Sequence, residues 1–256
     1  MRNISAQAIT DAVARLCIEA NTRLPQDVQA ALDKARQEEP WPLAKNTLDL
    51  LWSNLSAARE KDLPICQDTG MACVFIELGQ DAHIDGDLTA AVSEGVRRGY
   101  EKAFLRKSIT ADPLQRVNTG DNTPAFLTVH LVPGSGCKIT VAPKGAGSEN
   151  MSRLAMLKPA DGVEGVKKFV LDTVEQAGAN PCPPIVLGIG IGGSFDKCAA
   201  LAKKALLRPL DQPNADPYYA ALEKELLDAI NATGYEVKGV SSAPYEKKGF
   251  FSFLKK

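Results

Sequence analysis

Between a proline and an apolar run, the stretch LPICQDTGMACVF at residues 63–75 sets four reactive groups in a row: the thiol of Cys66, the amide of Gln67, the carboxylate of Asp68 and the hydroxyl of Thr69. A soft metal ligand, a hydrogen-bond donor and an acceptor thus fall within one turn, and Gly70 lets the backbone fold tightly beneath them. A plain polar turn ahead of a strand would use the same residues. Further along, VAPKGAGSENMSRLAML puts Gly145 and Gly147 beside Ser148, Glu149 and Asn150, a loop able to turn backbone N–H groups toward an anion, with Lys144 adding positive charge. In NPCPP the prolines around Cys182 fix the backbone and would aim its thiol rigidly; a core cysteine opening a strand is the other reading. The segment FLRKSITADPLQRVNTGDNTPA offers Arg106, whose planar fork suits a carboxylate. Its Arg116, Asn118, Thr119, Asp121 and Asn122 could form a supporting network.

These loops need elements to hold them. Apolar residues Ile4, Ala8, Ile9, Ala12, Val13, Leu16 and Cys17 recur at helical spacing, and the segments PQDVQAALDKARQEE and WPLAKNTLDLLWSNLSAAREK continue a helical leader. From Leu63 the texture changes: MACVFIELG, PAFLTVHLV and CKITVAPKG predict strands. Helices are expected after Asp87, over DGVEGVKKFVLDTVEQAGAN up to Gly178, after Ser194, and over DPYYAALEKELLDAINATG up to Gly234. PPIVLGIGIGG is expected as a short strand entering a glycine turn. The fold class is α/β (α+β), a helical N-terminal leader followed by a mixed sheet flanked by helices. One domain is expected over 1–234, with the leader at 1–60 and the α/β body at 61–234; residues 235–256 form a divergent tail without clear periodicity.

The 256 residues carry a formal net charge of -1, with scattered basic pairs, so neither nucleic acid nor an anionic membrane is an expected partner. No stretch approaches the ~20 apolar residues of a membrane span, and the start lacks a signal core, so a cytoplasmic location is expected. In that compartment the six cysteines are thiols or metal ligands rather than disulfides. The two histidines, His83 and His130, are expected to be structural. GIGIGG invites comparison with a dinucleotide-binding loop, but the acidic residue expected about twenty positions on falls at Asp211 in a proline-rich stretch.

Taken together, PICQDTG, LRKSITADPLQRVNTGDNTPA, APKGAGSENMSRLAML, ADGVEGVKKFVLDTVEQAGANPCPP and GIGIGGSFDKCAALAKKALLRPL strongly resemble the alpha subunit, or N-terminal region, of the class I (iron–sulfur) fumarate hydratases, a family that includes the tartrate dehydratase alpha subunit. The resemblance runs in order from about residue 6 to about residue 232. It implies a hydro-lyase interconverting fumarate and (S)-malate, or a similar dicarboxylate pair. It also implies a 4Fe–4S cluster whose ligands include Cys66 and Cys182 and whose open iron is a Lewis acid. By the same resemblance Gln67 and Asp68 contact substrate and carry catalysis, Arg106 binds a carboxylate, and Gly147 is a further substrate contact. A beta subunit would supply the base, so the chain alone is expected to be inactive and the working enzyme to be an oligomer. The family's third cluster cysteine sits in a Cys-Trp pair; here the pattern departs after LLDAINATG and no cysteine precedes a tryptophan. Cys73, Cys137 and Cys198 are the remaining candidates, Cys73 within a predicted strand and Cys198 within a predicted helix. Two rivals follow: a cluster-less remnant acting as a binding or assembly subunit, and a nucleotide-dependent oxidoreductase resting on GIGIGG.

Overall fold

The computed structural model describes residues 1–233; the expected tail at 235–256 and the helix-stopping Gly234 lie outside the described residues. In chain order the elements are β1 (Arg2–Ser5), α1 (Ala6–Thr22), α2 (Gln26–Glu38), α3 (Pro42–Lys61), β2 (Met71–Gly79), β3 (Ala82–Asp85) and α4 (Leu88–Lys102). There follow β4 (Phe126–Val132), β5 (Cys137–Lys144), α5 (Ala146–Glu149), a 3-10 turn (Pro159–Asp161), α6 (Gly162–Ala177), α7 (Phe195–Ala205) and α8 (Pro217–Ala232). They fall into two units: Met1–Leu24 with Asn54–Ala146, and Pro25–Ser53 with the chain from Gly147 on.

The first unit is a mixed sheet covered by two helices. Ser5 opens α1 by accepting the Ala8 N–H at 3.2 Å, and Asp87 opens α4 by accepting the Ala90 N–H at 2.9 Å. Gly95 and Gly99 lie four residues apart, on one face of α4. A Cβ on either would stand 2.7 Å from a backbone oxygen of α1, Thr10 for the first and Ala14 for the second. The two helices therefore meet backbone to backbone, and the buried Thr10 hydroxyl donates across the seam to Ala91 O at 2.9 Å. Beneath them β2 lies between β4 and β5, parallel to the first and antiparallel to the second. Its Ala72, Val74 and Ile76 join Ile9, Val13, Cys17, Val92, Val96 and Tyr100 in one buried cluster. Each large apolar side chain withdrawn from water there contributes about 2 kcal/mol. A second sheet pairs β1 with β3 in parallel.

The second unit is helical among the described residues. Val170 and Val174 of α6 pack with Leu222, Leu226 and Ile230 of α8 and with Ile185. Asp216 caps α8 through the Tyr218 N–H at 2.9 Å, and Gly178, at φ 57°, ends α6 as expected. Lys167 of α6 donates to Glu225 of α8 at 2.5 Å.

The α/β class, the helical leader and the mixed sheet are as expected. One element is corrected: PPIVLGIGIGG forms no strand. Its period of two is real, since Ile185, Leu187 and Ile189 turn to the α6–α8 core while Gly188 and Gly190 lie against the backbone of α7 at Ala202 and Cys198. The sheet ladders found among the described residues all lie in the first unit, so this extended segment packs by side chain without pairing. The strand-to-turn premise of a dinucleotide loop goes with it. The strands β1 and β3 escaped sequence reading because four residues give too short a period to register.

Candidate functional site

Three chemistry-bearing loops arrive at one end of the larger sheet for a topological reason. The antiparallel register Met71↔Lys144 sets the start of β2, just after CQDTG, beside the end of β5, just before GAGSEN. The parallel register Cys73↔Phe126 sets the start of β4, just after NTGDNTPA, on the other side. A Cβ on Gly70, which has φ 66°, would stand 2.5 Å from Lys144 O and 2.9 Å from Gly145 N. Only a glycine permits that approach.

The backbone leading into Cys66 is held on both sides. The Ile65 N–H donates to Asn21 O at 2.9 Å, and the Asn54 amide donates to Ile65 O at 2.7 Å. Cys66 and Gln67 then emerge exposed, while Thr69 and Gly70 are buried. The Asp68 N–H points at Cys66 Sγ (3.4 Å), and the Gly70 N–H donates to Asp68 Oδ1 (3.2 Å). Below this turn the buried Tyr100 hydroxyl lies 2.8 Å from Thr69 O and 3.2 Å from Gly70 O, both of which can accept from it.

Arg106 is joined to the same turn: the Thr69 hydroxyl donates to Arg106 O at 2.9 Å. Its guanidinium is exposed, and the ion pairs of the described residues leave it out, whereas Arg97 and Arg98 on α4 are both engaged by Glu94. Beyond it, Lys107 O accepts from the Asn118 amide at 2.9 Å, and Ile109 O accepts from the Thr119 N–H at 3.0 Å. Asp121 accepts from the Thr123 hydroxyl at 2.8 Å and its N–H at 3.0 Å, which holds the carboxyl below the usual carboxylate range. The network expected over 116–122 is real at Asn118, Thr119, Asp121 and Asn122. Tyr100 was missed; its signal was a tyrosine on the apolar face of a predicted helix, whose hydroxyl must find a buried partner.

In the second unit Gly147 and Cys182 share a neighbour. A Cβ on Gly147 would lie 3.2 Å from Asn180 O, and Cys182 Sγ lies 4.0 Å from the same oxygen. Cys182 is exposed and has φ 58°, a left-handed backbone uncommon outside glycine. So Cys66, Gln67, Asp68 and Arg106 come together in the first unit, Gly147 and Cys182 in the second.

The six cysteines separate sharply by environment. Cys17 and Cys73 are buried, and burial pushes the Cys17 thiol up to about 12. Burial also raises Cys137, and the Cys198 thiol donates to Gly190 O at 3.1 Å, tying α7 to the glycine segment. Only Cys66 and Cys182 are exposed. Each of these two accessible thiols has the chemistry of a soft metal ligand; among the described residues no group of three metal-ligating side chains gathers. Brief treatment of the native apoprotein with iodoacetamide should label Cys66 and Cys182 and spare Cys17 and Cys73, as read by peptide mass spectrometry.

The sequence matches the model of the family described as Fumarate hydratase (Fumerase) over residues 10–243. It is 43% identical, over 91% of its own length and 84% of the other, to the "Putative L(+)-tartrate dehydratase subunit alpha" of Methanocaldococcus jannaschii. To the L(+)-tartrate dehydratase subunit alpha of an Escherichia coli strain it is 32% identical, covering 91% of this chain and 78% of that one. The protein of that name from Shigella boydii is 31% identical with the same coverage.

Proposed function

The chain belongs to the fumarate hydratase (Fumerase) family, and we propose that within it this chain is the alpha subunit of a hydro-lyase that reversibly adds water to fumarate, or to a related dicarboxylate, to give (S)-malate or its counterpart. A separate beta subunit completes the enzyme, in keeping with the subunit names of the relatives. Those names make L-tartrate the second substrate to test. The observation that carries the reading is the pairing, at one sheet end, of an exposed thiol turn with an arginine whose backbone is anchored and whose exposed guanidinium has no ion pair among the described residues.

Dehydration removes a proton from one carbon and hydroxide from its neighbour. Before either leaves, the doubly charged substrate must be held in one register. Arg106 offers two parallel N–H donors to a terminal carboxylate. Gln67 donates its amide to substrate oxygen, and Asp68, with one oxygen engaged by the Gly70 N–H, keeps the other to orient the hydroxyl. Gly147, with no side chain, leaves room for a carboxylate to approach the backbone. Cys66 and Cys182 would hold a 4Fe–4S cluster, which when bound supplies a Lewis acid that assists departure of the hydroxide. The carbon-bound proton is left to a base on the beta subunit, as the family resemblance implies.

Co-purification with the beta subunit under anaerobic conditions, followed by assay on (S)-malate, fumarate and L-tartrate, tests the reading. Dehydration of (S)-malate or L-tartrate, or hydration of fumarate, is expected. An assembled complex that turns over none would favour the cluster-less remnant, the rival raised by the missing Cys-Trp pair.

A further inference from the structure

Asn122 is wholly buried, 0% exposed, yet it stands in a loop rich in polar residues and has φ 63°. Its side chain reaches two separate stretches of backbone. Oδ1 accepts from the N–H groups of Ser108 at 2.6 Å and Ile109 at 3.2 Å, while Nδ2 donates to Gly70 O at 3.2 Å. One planar amide therefore spans the gap between the extended segment just after Arg106 and the turn that carries Cys66, Gln67 and Asp68. Neither stretch is a ladder partner of the other. Residues 106–109 draw their bonds mainly from side chains: Thr69 to Arg106 O, Asn118 to Lys107 O, Asn122 to Ser108 and Ile109.

We infer that Asn122 is a positioning residue, setting the distance between the Arg106 fork and the CQDTG turn and so the length of dicarboxylate that fits between them. The inference rests on the proposed hydro-lyase reading for its substrate, but its geometry stands apart from it. An asparagine suits the task because it alone among short side chains presents a two-lone-pair acceptor and two donors in one plane. Alanine leaves the Ser108 and Ile109 N–H groups without this acceptor and leaves Gly70 O to the Tyr100 hydroxyl alone. Aspartate keeps the acceptor and sets a second oxygen against Gly70 O. In either variant Arg106 keeps its own Thr69 bond, but the link from its segment to Gly70 O is lost. A shift of about 1 Å between two groups that grip one substrate lowers turnover efficiency by ten- to a hundredfold.

Asn122→Ala and Asn122→Asp are to be compared with wild type in the complex with the beta subunit, after thermal melting has shown that each is folded at the assay temperature. Two readouts are taken: KM and kcat for the dicarboxylate, and amide hydrogen exchange over residues 108–109. KM should rise at least about tenfold with kcat changed far less, and exchange of the Ser108 and Ile109 amides should speed up in the alanine variant. A residue that merely supports the fold would instead lower the active fraction, so a reduced kcat at unchanged KM overturns the proposal. Unchanged exchange at 108–109 overturns it as well. Failure of the hydro-lyase reading is seen separately, as a wild-type complex that turns over no dicarboxylate.

Discussion

Cys66→Ser should abolish hydro-lyase activity in the assembled enzyme while leaving the fold intact. The two effects separate because of where Cys66 sits. Its side chain is exposed, and its one backbone bond, from the Asp68 N–H at 3.4 Å, can be accepted by a serine oxygen as well as by sulfur. Stability should change by no more than about 0.5 kcal/mol, the usual range for a surface exchange. The oxygen, however, stays a protonated, hard donor at neutral pH, where a cluster iron requires a soft thiolate. Loss of a partner that only orients a ligand already costs about 10–100-fold; loss of the ligand itself should exceed that, and turnover per complex should fall by more than about a hundredfold. The check is steady-state dehydration by anaerobically assembled complex alongside thermal melting of the same sample. A folded Cys66→Ser complex that kept more than a tenth of wild-type turnover would remove Cys66 from the site.

Arg106→Ala should cost nearly as much by another route. The guanidinium is exposed and has no ion pair among the described residues, so the apoprotein loses little by its removal. Its backbone, held by Thr69 at 2.9 Å, does not depend on the side chain. With substrate present the balance reverses, because two charge-assisted hydrogen bonds to a carboxylate are lost together. At about 1.5–3 kcal/mol each before overlap, and 1.4 kcal/mol per factor of ten, kcat/KM should fall by about 10²–10³. Arg106→Lys should recover only part of this, since a point charge cannot reproduce the planar fork. Titrating the dicarboxylate against complex of each variant reads the effect directly; an Arg106→Ala enzyme with wild-type kcat/KM would assign the carboxylate to another group.

How far the sequence could be read depended on whether the deciding signal was local. The helices α1, α4, α6 and α8 announce themselves by apolar stripes and by Asp87, Asp216 and Gly178 at their ends, and the strands β2, β4 and β5 by apolar runs. The choice of Cys66 and Cys182 rests on resemblance; in the fold these two are the exposed cysteines, a property that the sequence does not display. The segment at 183–193 misled because alternation reports which side chains face a core, not whether a strand partner lies alongside. The register Met71↔Lys144, which sets CQDTG beside the end of β5, is a long-range pairing that no local window contains. The same holds for Asn122. Its place in a polar loop reads as surface, and only the fold reveals that it is buried between Gly70 and Ser108.

The proposal at the centre is that Cys66 and Cys182 are each iron–sulfur ligands in an enzyme that works on a dicarboxylate. Its most direct measurement is anaerobic reconstitution of the complex with iron and sulfide, followed by the visible thiolate-to-iron absorption and the bound iron content. Wild type, Cys17→Ser and Cys198→Ser should develop the absorption, and addition of the dicarboxylate should perturb it in wild type. Cys66→Ser and Cys182→Ser should each fail to hold it. Equal iron and equal absorption in all five proteins, or none in wild type, would contradict the account.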